Sequence, residues 1–241
     1  MKIYLVRHAD PDYEIDGLTA VGKREAELLA PRLAAMEVKE FYVSTLGRAK
    51  ATAAPALALA GRTAIECEWL KEFPPRIIRP DSDNPYCCWD WLPQDWTADP
   101  RFFDADAWYD NERMQAGHVK EEYLRVTEAF DRVLAEHGYV RDGKVYRVVE
   151  PNEDALVFVC HFGVSCVLLS HLLNVSPMIL WHGFVAPPSS ITSIATEERR
   201  RGIASFRVNA LGDTAHLYAA GERPSFAARF CETYGNGDRQ D

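Results

Sequence analysis

Residues 155–160 read Ala-Leu-Val-Phe-Val-Cys, apolar without a break, and His161 follows at once. A run of that length with no polar alternation fits a strand covered on both faces, as in parallel sheets packed between helices. Residues 2–6, apolar from Ile3 to Val6, give a second strand candidate and end in Arg7-His8. Residues 40–45 and 63–68 supply two more strand candidates. Between the strands the period changes. Ala26, Leu29, Leu33 and Met36 recur at helical spacing over 19–36, with Thr19 as N-cap. Pro31 predicts a bend or break there. Residues 46–60 are alanine-rich and helical. Val119, Tyr123, Val126, Phe130 and Val133 predict an amphipathic helix over 118–137, ended by Gly138. An Asp-Gly pair predicts a hairpin within 140–149. A helix is expected over 163–173, and strands over 189–196 and 203–210 with the charged stretch between them as their turn. This alternation predicts an α/β fold: a three-layer α/β/α sandwich around a mostly parallel mixed sheet.

Residues 74–117 break the rhythm. They are rich in Pro, Asp and aromatic residues, and five of the six tryptophans fall between 69 and 108. The segment reads as an insertion over the active-site end of the sheet. Trp89, Trp91, Trp96 and Trp108 either line a substrate lid or form a small satellite core. No repeat or linker divides the chain, so 1–241 reads as a single domain with an irregular tail at 222–241. The net charge of −9 opposes nonspecific binding to nucleic acid or acidic membranes. No C-x-x-C pair or zinc spacing is present, and the six cysteines are expected to be free thiols. No apolar run approaches a membrane span, and Arg7-His8 interrupts any signal core. A soluble cytoplasmic protein is expected, for which a homodimer is allowed.

In open α/β sheets, ligands collect beyond the carboxyl ends of the strands. Arg7-His8, His161, and Ser44, Thr45 and Arg48 all fall at such ends. Two guanidiniums and two imidazoles converging in an acidic protein call for an anion, and arginine matches phosphate oxygens bidentately. The strand ends therefore point to phosphate chemistry.

Several segments, in order, carry a more specific likeness. "LVRHADPD" resembles the N-terminal Arg-His-Gly signature of the histidine phosphatase superfamily, the phosphoglycerate-mutase-like proteins. "LTAVGKREAELLAPRL" resembles its first helix. "STLGRAKATA" resembles its Ser-x-x-x-Arg-Ala-x-x-Thr-Ala segment, and "WLKEF" the segment with its acidic residue. "LVFVCHFGV" resembles the strand ending in its second histidine, and "GDTAHL" a closing motif.

The resemblance implies a catalytic set of His8, Glu72 and His161. His8 is the nucleophile, forming a phosphohistidine. Arg7, Arg48 and His161 hold the phosphoryl oxygens. Glu72 protonates the leaving oxygen and then activates water; Glu66, Glu68, Asp10 and Asp81 are the neighbouring alternatives. No metal or cofactor is called for, because the arginines supply the charge. Ala9 stands where the family has glycine, a cost if that backbone needs positive φ. His182 and His216 are expected to be structural, and Arg76 and Arg79 to be solvated loop charges.

The function expected is a phosphomonoesterase acting on a small phosphorylated metabolite. The alternatives are a phosphoglycerate-type mutase and a non-catalytic module that binds a phospho-ligand.

Overall fold

The computed structural model describes residues 1–227, 229–235 and 237. Eight strands form the central sheet: β1 (Lys2–Arg7), β2 (Glu40–Ser44), β3 (Ile65–Cys67), β4 (Tyr139–Asp142), β5 (Val145–Val148), β6 (Ala155–Cys160), β7 (Ile191–Arg200) and β8 (Ile203–Asp213). Their spatial order is β3-β2-β6-β1-β7-β8-β5-β4. The four strands β3, β2, β6 and β1 are mutually parallel. Antiparallel pairing begins at β7 and continues to the far edge. The half of the sheet that carries the candidate residues is thus its parallel half.

Strand alternation sends side chains to two helical layers. On one face, α1 (Ala20–Ala34) and α2 (Gly47–Ala60) bury Leu29, Leu33, Ala53 and Ala56 against Val6, Val43, Val157 and Val159. On the other, α3 (Val119–Glu136) and α4 (Phe162–Leu173) cover Ile3, Leu5, Leu156 and Phe158. Both α1 and α2 run through their internal prolines, Pro31 and Pro55. Pro31 lies near the end of α1, where few hydrogen bonds remain to be lost.

Three sequence expectations need correcting. A further helix, α5 (Pro177–Gly183), follows α4 and is capped by Ser176, whose side chain accepts from the Met178 N–H. The charged stretch 197–200 is strand, not turn. Here Glu198, Arg199 and Arg200 of β7 are exposed, while Ala204 and Phe206 of β8 stay in the core, and Gly202 at φ 82° makes the turn. Arg79 is not a solvated charge. It is 4% exposed, pairs with Asp81 at 2.8 Å and lies 3.8 Å from the Tyr86 ring centroid.

The 74–117 segment holds a ribbon of Arg76–Ile78 with Pro85–Cys87 and two single-turn helices, Pro93–Thr97 and Glu112–Ala116. Trp91, Phe102, Trp108 and Met114 are buried in the same core as α3 and α4. The His182 Nε2 accepts from the Trp91 N–H at 3.2 Å, and its ring stacks on Trp96 at 5.0 Å. Of the two roles open to the tryptophans, packing accounts for Trp91, Trp96 and Trp108. Only Trp89 lies beside the candidate site.

Candidate active site

Register places the site. Arg7 of β1 lies opposite Cys160 of β6, so the two strands end level and release His8 and His161 side by side. Their ring centroids are 5.0 Å apart at an interplanar angle of 57°. On the other side of β6, β2 ends at Ser44, whose Oγ lies 2.8 Å from the His161 Nε2.

His8 is 2% exposed and its backbone is fixed on three sides. Its N–H donates to Cys160 O, its carbonyl accepts from the Ser189 N–H, and the next N–H, of Ala9, donates to Thr52 Oγ1. The ring Nδ1 donates to Ala9 O at 2.8 Å, which leaves the lone pair on Nε2. Burial, then the positive charges of Arg7 and Arg48, push the His8 pKa down to about 3. The ring is therefore neutral at ordinary pH. Ala9 has no positive φ, and its side chain packs with Leu18 and Ala26. Alanine in place of glycine is thus unstrained.

The two arginines are tethered alike. The Arg7 Nη1 donates to Ala186 O at 2.8 Å and Ala227 O at 3.2 Å. The Arg48 Nη1 donates to Asp16 Oδ1 at 2.6 Å, while Asp16 Oδ2 accepts from the Gly47 N–H at the start of α2. A Cβ on Gly47 would lie 2.2 Å from Asp16 O, so this contact requires glycine. In both arginines Nε is buried with no partner among the described residues, as is His161 Nδ1. Unsatisfied buried donors are costly, and these three belong to residues at the candidate site. Burial, then the neighbouring His8 and the charges of Arg48 and Arg7, hold the His161 pKa well below its ordinary value.

Glu72 follows the short turn after β3 and is half-buried at the N-terminus of α4. Its Oε1 accepts from the Phe73 N–H at 2.9 Å and the Val164 N–H at 3.0 Å. Burial raises its pKa, opposed by these backbone donors and by Arg7. Gly163 permits the approach, since a Cβ there would lie 2.7 Å from Glu72 Oε1. The alternative acids are engaged elsewhere. Glu66 pairs with Lys50 and Glu68 with Lys71, both exposed. Asp10 accepts from Thr19 Oγ1, and Asp81 pairs with Arg79.

The structure therefore brings His8, His161, Arg7, Arg48 and Glu72 to one end of the sheet. Three supports stand behind these residues: sequence reasoning assigned no role to Asp16 or Thr52 and expected His216 to be structural. Asp16 orients Arg48, Thr52 holds the Ala9 N–H, and His216 lies 3.0 Å from Ser189 Oγ, beside the N–H that meets the His8 carbonyl. The Asp16-Gly17 pair is a turn signal that could have drawn attention to the first; Thr52 and His216 lie in the segments "STLGRAKATA" and "GDTAHL".

Among the described residues no helix is long and apolar enough to cross a membrane. None of the curated protein sequences compared with the chain matches it. Solved structures do. A mycobacterial glucosyl-3-phosphoglycerate phosphatase aligns with a TM-score of 0.58 at 15% identity, over 88% of this chain and 98% of its own. A mutant phosphoserine phosphatase from Entamoeba histolytica, in complex with phosphoserine, gives 0.57 at 18% identity, over 90% and 98%. A mycobacterial hydrolase gives 0.56 at 17%, over 88% and 98%. Identities this low speak for the fold alone. Residues 3–78, which carry His8, Arg48 and Glu72, match the family model of the histidine phosphatase superfamily, branch 1. The family match is confined to that segment, while the likeness of fold extends over most of the chain.

Proposed function

We propose that the chain is a phosphomonoesterase that hydrolyses a small phosphorylated metabolite through a phosphohistidine at His8. The observation that carries this reading is the set of three buried, unpartnered nitrogens, Arg7 Nε, Arg48 Nε and His161 Nδ1, around a neutral imidazole. A phosphoryl group supplies the acceptors these nitrogens lack, and its negative charge offsets the two guanidiniums.

The steps follow from the tethers. His8 Nε2 attacks phosphorus in line with the leaving oxygen, with its tautomer fixed by the Ala9 carbonyl. Arg7, Arg48 and His161 bind the equatorial oxygens, where charge accumulates. Glu72, whose pKa burial raises, delivers a proton to the departing alkoxide from its protonated form. The resulting carboxylate takes a proton from water, which attacks the phosphohistidine and releases inorganic phosphate and His8.

Release of phosphate from p-nitrophenyl phosphate tests this reading. The wild-type chain is expected to turn over, and His8→Ala to lose about 10³-fold or more in rate. Equal rates, or turnover by neither, would favour a non-catalytic phospho-ligand module. A requirement for a bisphosphate primer would favour a mutase.

A further inference from the structure

Two distant parts of the main chain hold Arg7. The Ala186 carbonyl, in the loop before β7, and the Ala227 carbonyl, beyond the short helix Ala215–Ala219, both accept from Nη1. Both hydrogens of that nitrogen are then engaged, which fixes the guanidinium plane. Nε, buried without a partner among the described residues, and Nη2 beside it are left as the edge available to an anion. A bidentate contact depends on the angle of that edge.

The segment that carries Ala227 is anchored by a group with no part in the proposed chemistry. Glu25 of α1 is 1% exposed. Its Oε1 accepts from the Ser225 N–H at 3.2 Å, and its Oε2 from the Asp10 N–H at 2.8 Å. A buried carboxylate is unfavourable unless it is hydrogen-bonded or paired, and an apolar side chain could fill the same space. Burial raises the Glu25 pKa, opposed by these two donors. One side chain thus joins α1, the loop leaving His8 and the segment over Arg7.

We propose that Glu25 is a positioning residue: by latching the Ser225 N–H it keeps the Ala227 carbonyl on Arg7 and so aims the guanidinium edge that receives the phosphoryl group. This rests on the phosphatase reading above. The C-terminal segment is then part of the anion cradle, though none of its own side chains need touch substrate.

Two full-chain variants test the latch. Ser225→Pro removes the N–H that Glu25 accepts, at a position outside the helices and the sheet. Glu25→Gln leaves one oxygen to face two N–H donors. In both, calorimetry with inorganic phosphate is expected to show about tenfold weaker binding, as for one lost orienting hydrogen bond. KM for p-nitrophenyl phosphate is expected to rise by about the same factor. The thermal midpoint of Ser225→Pro stays at the wild-type value, which separates the effect from general destabilisation. Trypsin is expected to cut after Arg229 faster in both variants. Wild-type phosphate affinity in both, despite faster cleavage, would overturn the link to Arg7. If the wild-type chain itself binds no phosphate, the phosphatase reading fails, and cleavage decides the latch alone: equal rates in wild type and Ser225→Pro overturn it.

Discussion

Glu72 and His8 differ in what burial does to them, and that difference sets their proposed roles. Burial disfavours the charged form of either group, so it lowers the histidine pKa and raises the carboxyl pKa. The His8 ring is neutral above a pH of about 3, as its proposed role as nucleophile requires. Glu72 donates only while protonated, so kcat/KM is expected to fall as pH rises through its raised pKa. Glu72→Gln is expected to flatten that limb, because an amide neither gives up nor regains a proton in this range. The loss should also depend on the leaving group. An alkyl phosphate, whose alkoxide needs the proton, is expected to slow by about 10²- to 10³-fold. p-Nitrophenyl phosphate, whose phenolate leaves unaided, is expected to slow by less than about tenfold. Equal losses on the two substrates would remove Glu72 from the role of acid.

Strand ends and helix starts place these residues, and this was the part most legible in the sequence. Unbroken apolar runs marked β1 and β6, and the polar residues after them marked the site, because a buried parallel strand has one edge at which chemistry can emerge. What the sequence hid was contact across elements. α5 was missed because its helix is too short for periodicity to register. The 74–117 segment was ambiguous because its tryptophans pack into a core built by distant helices, and no local pattern encodes that. Close approach between elements is similarly silent. A Cβ on Gly163 would meet Glu72 Oε1 at 2.7 Å and Trp89 Nε1 at 2.8 Å. Gly163→Ala is therefore expected to displace the acid from the N-terminus of α4. It should cost about 1–3 kcal/mol in urea unfolding and lower kcat/KM on an alkyl phosphate. Wild-type values in both measurements would show that this contact does not position Glu72.

Across the whole molecule, the site depends on parts of the chain that are far apart in sequence. Arg7 and His8 come from the end of β1, Asp16 from the loop after it, Arg48 from α2, Glu72 from beyond β3, and His161 from the end of β6. Ser189 and Ala227, near the end, hold the His8 carbonyl and Arg7. The phosphate-binding and nucleophilic candidates could be read because each sits at a strand end. The residues that aim them, Asp16, Thr52, Glu25 and Ser189, could not, since each acts on a partner many residues away. All of this converges on the proposed reactive atom, His8 Nε2. Rapid mixing with a phosphomonoester, denaturing quench and peptide mass analysis tests it directly. A single phosphoryl group, labile to acid and carried on the peptide containing His8, is predicted in the wild type and absent in His8→Ala. Turnover with no phosphorylated intermediate, or with the phosphoryl group on another residue, would contradict the account.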